Sequence, residues 1–371
     1  MLNEVSELTG KVTLILGQND VPHDFPKSNT LQLVDAKFVR GWRLLNLWKA
    51  AKTLSRVGPV DVIHDTLGNL LMSFLRVYKS KDRPVLVTSF YALERWRIEN
   101  VWKTQGYNTI SLLLNQSGRR MYLGSITQFL MSMFADYVVL QSPGLIQRIA
   151  ESIHISRDKV RVITNSVNTD FWTPSASEYS RQESDFRLLY VGGLDNSHGL
   201  MSTLRVMKEI YDLGHKITLN LVVKAGIGEL NTIIKQINKL GLFPFVEIEQ
   251  NLSRNQMKER YNSADALVYQ TINDGSPRVV LEAMSCGLPV VASNHPGIDI
   301  LDPDSKIISF TSFCDEKSMK AEIVQLIENP DMGMRVGEAG RAMVREKFDT
   351  KPIAKQYAIF YEETLLAQSR T

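Results

Sequence analysis

Short apolar runs alternate along the chain with longer segments whose apolar residues recur at helical spacing. In the first half the strand-like runs are KVTLIL (11–16), VDVIH (60–64), PVLVT (84–88), DYVVLQ (136–141) and KVRVIT (159–164). In the second half they are FRLLYV (186–191), ITLNLVV (217–223), FVEIE (245–249), DALVYQ (265–270) and PVVA (289–292). Helical patterns separate these runs, at 39–56, 144–153, 199–213, 228–240, 253–262 and 278–286. This alternation is typical of α/β domains built on parallel sheets.

A polar segment divides the two series. Residues 173–185, TPSASEYSRQESD, are rich in turn-forming types and are predicted to form an interdomain linker. We therefore expect an N-terminal domain at 1–172 and a C-terminal domain at 186–350, with a last helix at 351–371. The chain of 371 residues is long enough for two such domains, each with its own core.

Composition changes this picture mainly by exclusion. The net charge of +3 gives no strong global field for holding nucleic acid. The two cysteines, Cys286 and Cys314, form no disulfide framework and fit a reducing cytosol, so a cytoplasmic location is expected. No apolar run approaches the ~20 residues of a membrane span. The first residues, MLNEVSELTGK, lack the basic and apolar regions of a signal peptide.

Residues 274–293, DGSPRVVLEAMSCGLPVVAS, carry the most informative pattern. Ser276 is a good N-cap and Pro277 suits the first helical position, so a helix is predicted to begin here. Its unpaired N–H groups and positive dipole end would form an anion site. Asp274 lies just before this helix start and Glu282 lies on the predicted helix, eight residues later. A phosphate at the helix start with hydroxyls on either side would satisfy all of these groups, which describes a nucleotide-sugar.

The same stretch resembles the donor-site signature of retaining GT-B glycosyltransferases of the family 4 type, with Asp274 standing where Glu is usual. Further segments resemble that family in order and spacing: ADYVVLQS (135–142), KVRVITNSVNTDFW (159–172), YNSAD (261–265) and GMRVGEAGRAMVREKFD (333–349). The resemblance implies two Rossmann-like domains facing a cleft, with the last helix crossing back to the N-terminal domain. It also implies sugar transfer from a nucleotide diphosphate-sugar to a hydroxyl acceptor, a glycan, lipid-linked or small molecule, with anomeric retention.

The resemblance assigns roles to individual residues. Asp274 would bind hydroxyls of the donor sugar and Glu282 the ribose hydroxyls, and these two carboxylates are the predicted catalytic residues. Backbone amides from Gly275 to Arg278 would hold phosphate. The full predicted donor-binding set is Gly192, Gly193, His198, Lys224, Gly275, Ser276, Pro277, Arg278 and Glu282. No metal and no cofactor are expected, because the histidines and cysteines show no metal-ligand spacing and the family's fold holds diphosphate without a metal.

One departure from the family concerns charge. Where the family has Val-Gly-Arg-Leu followed by Lys-Gly, this chain has Val191-Gly192-Gly193-Leu194 and then His198-Gly199. The missing Arg and Lys normally neutralise the leaving diphosphate, so their absence puts activity in doubt. Arg278 in the first turn of the predicted helix and Lys224 at a strand end are candidate substitutes. Each is otherwise a solvated basic side chain.

Two further departures lie in the N-terminal domain. The family often carries a His after the strand PVLVT, where this chain has Ser89-Phe90. His64 is either a replacement or a structural hydrogen-bonding residue. Only about ten residues precede KVTLIL, so the domain is predicted to lack its first strand, and a partner chain would be able to cover the exposed sheet position.

Other interpretations stay open. The segment GRRMYLGSITQFLMSMF (118–134) is either a core helix or an amphipathic helix resting on an anionic membrane surface, which would make the protein peripheral. The whole chain is either a transferase or a non-catalytic GT-B-like subunit that binds a partner transferase or a glycan. A nucleotide-sugar epimerase of the same architecture is a third possibility.

Overall fold

The computed structural model describes residues 12–16, 31–35, 61–65, 84–90, 126, 128–130, 132–146, 155–175, 185–194, 196–272 and 274–368. The chain divides into two compact units, which we call unit 1 (Met1–Thr164 with Thr350–Thr371) and unit 2 (Asn165–Asp349). The helix predicted at 39–56 and most of the one predicted at 144–153 lie outside the described residues. The missing first strand also stays a prediction, because residues 1–11 lie outside them as well.

The strands of unit 1 are parallel and short. They are β1 (Val12–Leu16), β2 (Leu31–Asp35), β3 (Val62–Asp65), β4 (Val85–Phe90), β5 (Tyr137–Leu140) and β6 (Val160–Val162). Strand β1 pairs with β2, and the other four form a sheet in the order β3-β4-β5-β6. The five strands predicted in this half are confirmed. Strand β2 was not predicted, because its run LQLVD mixes polar and apolar residues over only five positions.

The last helix of the chain belongs to unit 1. Helix α7, which we number after the helices of unit 2, spans Thr350–Gln368. Its buried residues Ile353, Ala354 and Phe360 join Val87 and Val139 of the sheet in one core cluster. Apolar residues spaced three and four apart put one stripe of a helix on one face, and burial of that stripe fixes α7 on the sheet.

Unit 2 holds a six-stranded, entirely parallel sheet. Its strands are β7 (Phe186–Gly192), β8 (Ile217–Val223), β9 (Val246–Gln250), β10 (Ala266–Tyr269), β11 (Val290–Ser293) and β12 (Ile308–Thr311). Their order is β12-β11-β10-β7-β8-β9. The five predicted strands are confirmed, and the edge strand β12, whose sequence is ISFT, was not predicted.

Helices cover both faces of this sheet. They are α1 (Leu200–Asp212), α2 (Ile227–Lys239), α3 (Arg254–Ser263), α4 (Arg278–Ser285), α5 (Glu316–Glu328) and α6 (Pro330–Lys347). Residues of α1, α2 and α5 share one core cluster with the sheet. Residues of α3, α4 and α6 share the other. Strands that are buried on both faces have nearly continuous apolar sequences. The strands ALVY and VVAS, which are fully buried, show this pattern.

Among the described residues, no helix is both long enough and apolar enough to cross a bilayer.

Candidate functional site

The strand order of unit 2 creates a switch point between β7 and β10. From β7 the chain builds β8 and β9 on one side, then returns to build β10, β11 and β12 on the other. At such a point the loops that leave the carboxyl ends of two adjacent strands diverge, and ligands of open α/β sheets bind in the crevice between them. The two loops here are 193–199 after β7 and 270–277 after β10. They contain most of the predicted donor-binding residues.

Asp274 is held by both of its carboxylate oxygens. The Tyr269 hydroxyl donates to Oδ2 at 2.7 Å, and the Ser276 N–H donates to Oδ1 at 3.2 Å. Burial raises the pKa of Asp274 above its usual value, while these hydrogen bonds, one from the Gly275 N–H and the charge of His198 act in the opposite direction. The result is a partly buried carboxylate whose orientation is set before any ligand arrives.

Helix α4 begins one residue later than predicted and without the predicted cap. Its N-cap residue is Pro277, in an extended conformation and with no side-chain capping bond, and its first residue is Arg278. The prediction that Ser276 caps the helix is wrong, because its buried Oγ, which would accept from a helical N–H, has no partner among the described residues. The N–H groups of Gly275 and Ser276 both bond Asp274, and Pro277 has no N–H at all. Amides for a phosphate are therefore those of Arg278 and Val279 rather than the whole predicted run.

Glu282 lies on α4 and is held in the same way as Asp274. The Tyr261 hydroxyl, from α3, donates to its Oε2 at 3.0 Å. Burial raises the pKa of Glu282, and the Tyr261 hydrogen bond and the positive charges of Arg278 and Arg254 oppose that rise. Both carboxylates of the predicted pair are thus ordered by a tyrosine, and both are flanked by groups that favour the ionised form.

The loop after β7 is organised by Tyr190. Its hydroxyl lies 2.7 Å from the carbonyl of Gly193 and 3.0 Å from that of His198, so one donor is shared between two turns of the loop. Gly192 leaves room for this ring, since a Cβ there would stand 3.3 Å from the Tyr190 hydroxyl. The two loops also touch, because the Ile272 N–H donates to the Ser197 carbonyl at 3.3 Å. The structure therefore brings Gly192, Gly193 and His198 beside the loop of Asp274.

The candidate basic substitutes differ in position. Arg278 is exposed in the first turn of α4, at the site of the predicted phosphate, and its charge reaches Glu282 one turn later. Lys224 is exposed directly after β8. Among the described residues, no hydrogen bond or ion pair joins Lys224 to the loop of Asp274. Of the two, Arg278 is the one that the structure places both in the first turn of α4 and within reach of Glu282.

Two segments outside the signature brace its loop. Asn165 donates from Nδ2 to the Ser276 carbonyl at 2.6 Å. Gly297, in the turn after β11, packs so closely that a Cβ would stand 1.5 Å from the Asp274 carbonyl oxygen. Since these are contacts to the backbone, they fix the path of the loop independently of its side chains.

His64 lies in unit 1. Its Nδ1 is 2.7 Å from the Tyr361 hydroxyl and its Nε2 is 2.7 Å from Ser89 Oγ. Burial lowers its pKa to about 4. Both ring nitrogens are hydrogen-bonded within unit 1, where they connect the sheet to α7. Of the two roles predicted for His64, these contacts favour that of a structural hydrogen-bonding residue.

A cavity of about 730 Å³ opens at the opposite edge of the unit 2 sheet. Phe186, Lys216, Asp265 and Pro289, which stand at or next to the amino ends of four strands, are among the residues that line it. It contains no member of the predicted donor set. Within the described part of the chain, no group of three or more His, Cys, Asp and Glu residues has a metal-binding arrangement.

Sequence reasoning missed Tyr269, Tyr261, Arg254 and Asn165. Tyr269 and Tyr261 hold the two carboxylates. Arg254 lies over the Phe171 ring at 4.4 Å and contributes charge at Glu282. The one available signal was weak: Tyr269 ends a strand five residues before Asp274, where an apolar side chain would serve the core equally well.

Comparison with known proteins gives a consistent assignment for this half of the chain. The family model described as Glycosyl transferases group 1 matches residues 175–343. The D-inositol 3-phosphate glycosyltransferase of Corynebacterium jeikeium is 25% identical over 242 residues, which are 62% of this chain and 58% of that relative. The chain therefore aligns with little more than half the length of this relative.

Solved structures agree in fold. Sucrose-phosphate synthase from Thermosynechococcus elongatus matches with a TM-score of 0.82 at 17% identity, over 99% of this chain and 92% of that one. The Anabaena protein HepE in complex with UDP-glucose matches with a TM-score of 0.69 at 17% identity, over 91% of this chain and 86% of that one. The predicted α/β GT-B fold is confirmed.

Proposed function

We propose that this protein transfers a sugar from a nucleotide diphosphate-sugar to a hydroxyl acceptor, because residues 175–343 match the family model described as Glycosyl transferases group 1. One observation carries the proposal. At the switch point of a parallel sheet, where such sheets bind ligands, two carboxylates and a helix start come from one turn, and each carboxylate is already oriented by a tyrosine.

The proposed donor lies along helix α4 and the loop before it. Glu282 accepts hydrogen bonds from the ribose hydroxyls, and Asp274 accepts them from the hydroxyls of the sugar. The diphosphate lies between them, at the amino end of α4, where unpaired N–H groups and the helix dipole favour an anion. HepE, of the same fold, has been solved in complex with UDP-glucose, which supports a donor of this class.

We assign the charge of the missing Arg and Lys to Arg278. When the bond to the sugar breaks, negative charge builds on the leaving diphosphate, and removal of one donor at such a position costs about 3 kcal/mol of transition-state stabilisation. Arg278 is exposed at the start of α4 and is free to turn towards the phosphate, whereas no hydrogen bond or ion pair joins Lys224 to this loop among the described residues. The planar guanidinium of Arg278 also suits the geometry of phosphate oxygens. We further propose anomeric retention and catalysis without a metal.

The test begins with UDP-, GDP- and ADP-sugars, scored in parallel for binding by thermal shift and for nucleotide release. Asp274→Asn and Glu282→Gln are expected to weaken both signals. The exposed carboxylates Asp304 and Glu247 provide matched controls, Asp304→Asn and Glu247→Gln, which should behave as wild type. If the two site variants keep wild-type donor affinity and release, the proposed donor site is wrong.

Arg278 is tested separately from the carboxylates. Arg278→Ala is expected to slow nucleotide release by at least tenfold with a smaller change in donor affinity, and Arg278→Lys to recover part of the rate. Lys224→Ala serves as the comparison. A larger loss in Lys224→Ala than in Arg278→Ala would reverse the assignment.

The same assay separates the alternatives. Donor binding without release in the presence of a broad acceptor panel would identify a non-catalytic subunit, which the absent Arg and Lys favour, and would direct the search to a partner chain or glycan. Interconversion of nucleotide-sugars without any acceptor, detected by chromatography, would identify an epimerase.

We also propose peripheral attachment to an anionic membrane surface, where a lipid-linked acceptor would be found. Ile126, Phe129 and Met133 lie in helical geometry at a spacing of three and four and are 56%, 42% and 55% exposed. This pattern supports an amphipathic helix rather than the core helix that the sequence also allowed. Sedimentation with phosphatidylglycerol vesicles should be reduced in Ile126→Ser/Phe129→Ser/Met133→Ser, and equal recovery of the two proteins would refute attachment through this face.

A further inference from the structure

Tyr269 occupies a position that links the core of unit 2 to the candidate donor site. It is the last residue of β10, and its side chain is almost wholly buried, with 7% of the residue exposed. Its hydroxyl reaches Asp274 Oδ2 at 2.7 Å. A buried ring at a strand end has little rotational freedom, so the hydroxyl has a fixed position from which to hold the carboxylate.

We propose that Tyr269 is the positioning residue for Asp274, which it holds in the orientation that presents the remaining acceptor site of the carboxylate to a hydroxyl of the donor sugar. This inference rests on the proposed function and adds a positioning residue to it. The ligand feature recognised is a sugar hydroxyl.

The geometry follows from counting hydrogen bonds. An ionised carboxylate has two oxygens and about four acceptor sites. Tyr269 uses one site on Oδ2, the Ser276 N–H uses one on Oδ1, and the Gly275 N–H uses a third. One acceptor site therefore stays open for a hydroxyl of the donor, and its direction is fixed because the protein occupies the other three. A carboxylate free to rotate would offer the same sites without a fixed direction.

Gly297 holds the loop of Asp274 on its other side. Its close approach to the Asp274 backbone leaves the loop little room to move in that direction. Tyr269 supplies a fixed partner on the side of the sheet, so that the carboxylate is held in one orientation.

Tyr269 also favours the ionised form of the carboxylate. Burial raises the pKa of Asp274, and the hydrogen bond from Tyr269 is the largest opposing influence. Burial and the neighbouring Asp274 raise the pKa of Tyr269 well above its usual value, so the phenol stays a donor throughout the physiological range. A protonated Asp274 would lose acceptor capacity, so it would hold the sugar hydroxyl less well.

Few other titratable groups face this carboxylate among the described residues. His198, in the loop after β7, acts on it through its charge. Tyr190, on β7, lies close enough to Tyr269 to influence its pKa. The segment after β11 approaches the Asp274 backbone through Gly297 and carries His295 and Asp299. The titration of Asp274 is therefore compared between wild type and a Tyr269 variant that leaves all of these groups intact.

The variant is Tyr269→Phe, which removes one oxygen and keeps the ring. The matched control is Tyr211→Phe, an exposed tyrosine on α1 that packs against Phe245 and is not part of the site. The pKa of Asp274 is measured by carbon NMR on protein labelled at the aspartate side chains, with its signal identified from Asp274→Asn. The pH profile of kcat/KM is measured in parallel for the donor that wild type uses.

We expect the pKa of Asp274 to rise in Tyr269→Phe and the acidic limb of the kcat/KM profile to move to higher pH with it. On the plateau, kcat/KM should fall on the order of tenfold, as for the loss of one hydrogen bond to a charged group. Tyr211→Phe should match wild type in both measurements. The preference for the donor over an analogue that lacks the recognised hydroxyl should be smaller in Tyr269→Phe than in wild type.

Two results would overturn the inference. One is an Asp274 pKa that is the same in Tyr269→Phe and wild type. The other is a raised pKa with an unchanged pH profile in an active enzyme. The titration needs no turnover, so it decides the link between Tyr269 and Asp274 even if the donor panel fails and the proposed function with it. If Tyr269→Phe does not fold, 3-fluorotyrosine at position 269, a stronger donor of nearly the same shape, must lower the pKa of Asp274, and a constant pKa would overturn the inference.

Discussion

The contact between Gly297 and the loop of Asp274 gives the sharpest test of how the site is built. A Cβ on Gly297 would stand 1.5 Å from the Asp274 carbonyl oxygen and 2.5 Å from its carbonyl carbon. Both are backbone atoms, so no change of side-chain rotamer can relieve the overlap. The backbone of Gly297 is not in the left-handed region, so the effect of Gly297→Ala is a steric one alone.

The size of the displacement sets the expected effect. Real Cβ atoms essentially never lie closer than 3.0 Å to such an atom, so one of the two segments must retreat by about 1.5 Å. Sites of this kind tolerate errors of about 0.5 Å, and a misplacement of about 1 Å can cost 10²-fold in rate. We therefore expect kcat/KM for donor turnover to fall by at least about 10²-fold. Overpacking of a tight contact should also cost about 1–3 kcal/mol of unfolding free energy.

The assay compares Gly297→Ala with Gly228→Ala by urea unfolding and by donor turnover. Gly228 lies in α2 with open space around its Cα, so alanine there should stabilise the protein by about 0.5–1 kcal/mol and leave turnover unchanged. A Gly297→Ala protein with wild-type kcat/KM and an unchanged unfolding midpoint would show that the close approach of the two segments does not shape the site.

Three further predictions concern buried ionisable groups of unit 2. Burial lowers the pKa of His295 to about 4, so only the unfolded chain takes up a proton at this position as the pH falls from 6.5 to 4. Over this range wild type should lose about 3 kcal/mol more unfolding free energy than His295→Gln in urea titrations. Equal losses in the two proteins would disprove the prediction. Arg260 and Glu249 form a buried ion pair with side chains 8% and 15% exposed. Glu249→Ala should therefore lower the unfolding free energy by about 3–5 kcal/mol, because it leaves the Arg260 charge uncompensated, whereas Arg260→Met/Glu249→Leu should cost much less. Similar losses of unfolding free energy in both variants would argue against a penalty for the uncompensated charge. Burial raises the pKa of Cys286 to about 12, so Ellman's reagent at pH 8 should not label it in the native protein. The measurement uses a Cys314→Ser background, so that Cys286 is the remaining cysteine. Fast labelling of that protein would contradict the buried state of Cys286.

The sequence predicted the repeated elements of the fold with few errors. The ten apolar runs correspond to ten of the twelve strands that the structure describes. Continuous apolar runs are a strong signal because strands buried on both faces have no polar alternation. The two missed strands, LQLVD and ISFT, are short and partly polar, and partly polar runs of this length do not stand out from loops.

Local capping was less predictable than the position of the helix. Ser276 and Pro277 carry the usual residue types of a helix start, and a helix does follow. However, the Ser276 N–H is recruited by the Asp274 side chain, and the helix begins after Pro277 instead. A local sequence preference gave way here to a side-chain contact that fixes the carboxylate of Asp274.

The sequence by itself determined the alternation of elements, the two-carboxylate turn and the absence of the usual basic pair, because each of these is a matter of residue type and spacing within a few positions of the chain. Only the tertiary structure decided what holds that turn. Tyr261 and Tyr269 reach Glu282 and Asp274, Asn165 reaches the Ser276 carbonyl from more than a hundred residues away, and Gly297 closes the loop from the next strand. These contacts depend on the order β7-β10-β11 in the sheet, and that order is set by the packing of whole helices on both faces rather than by any short stretch of residues.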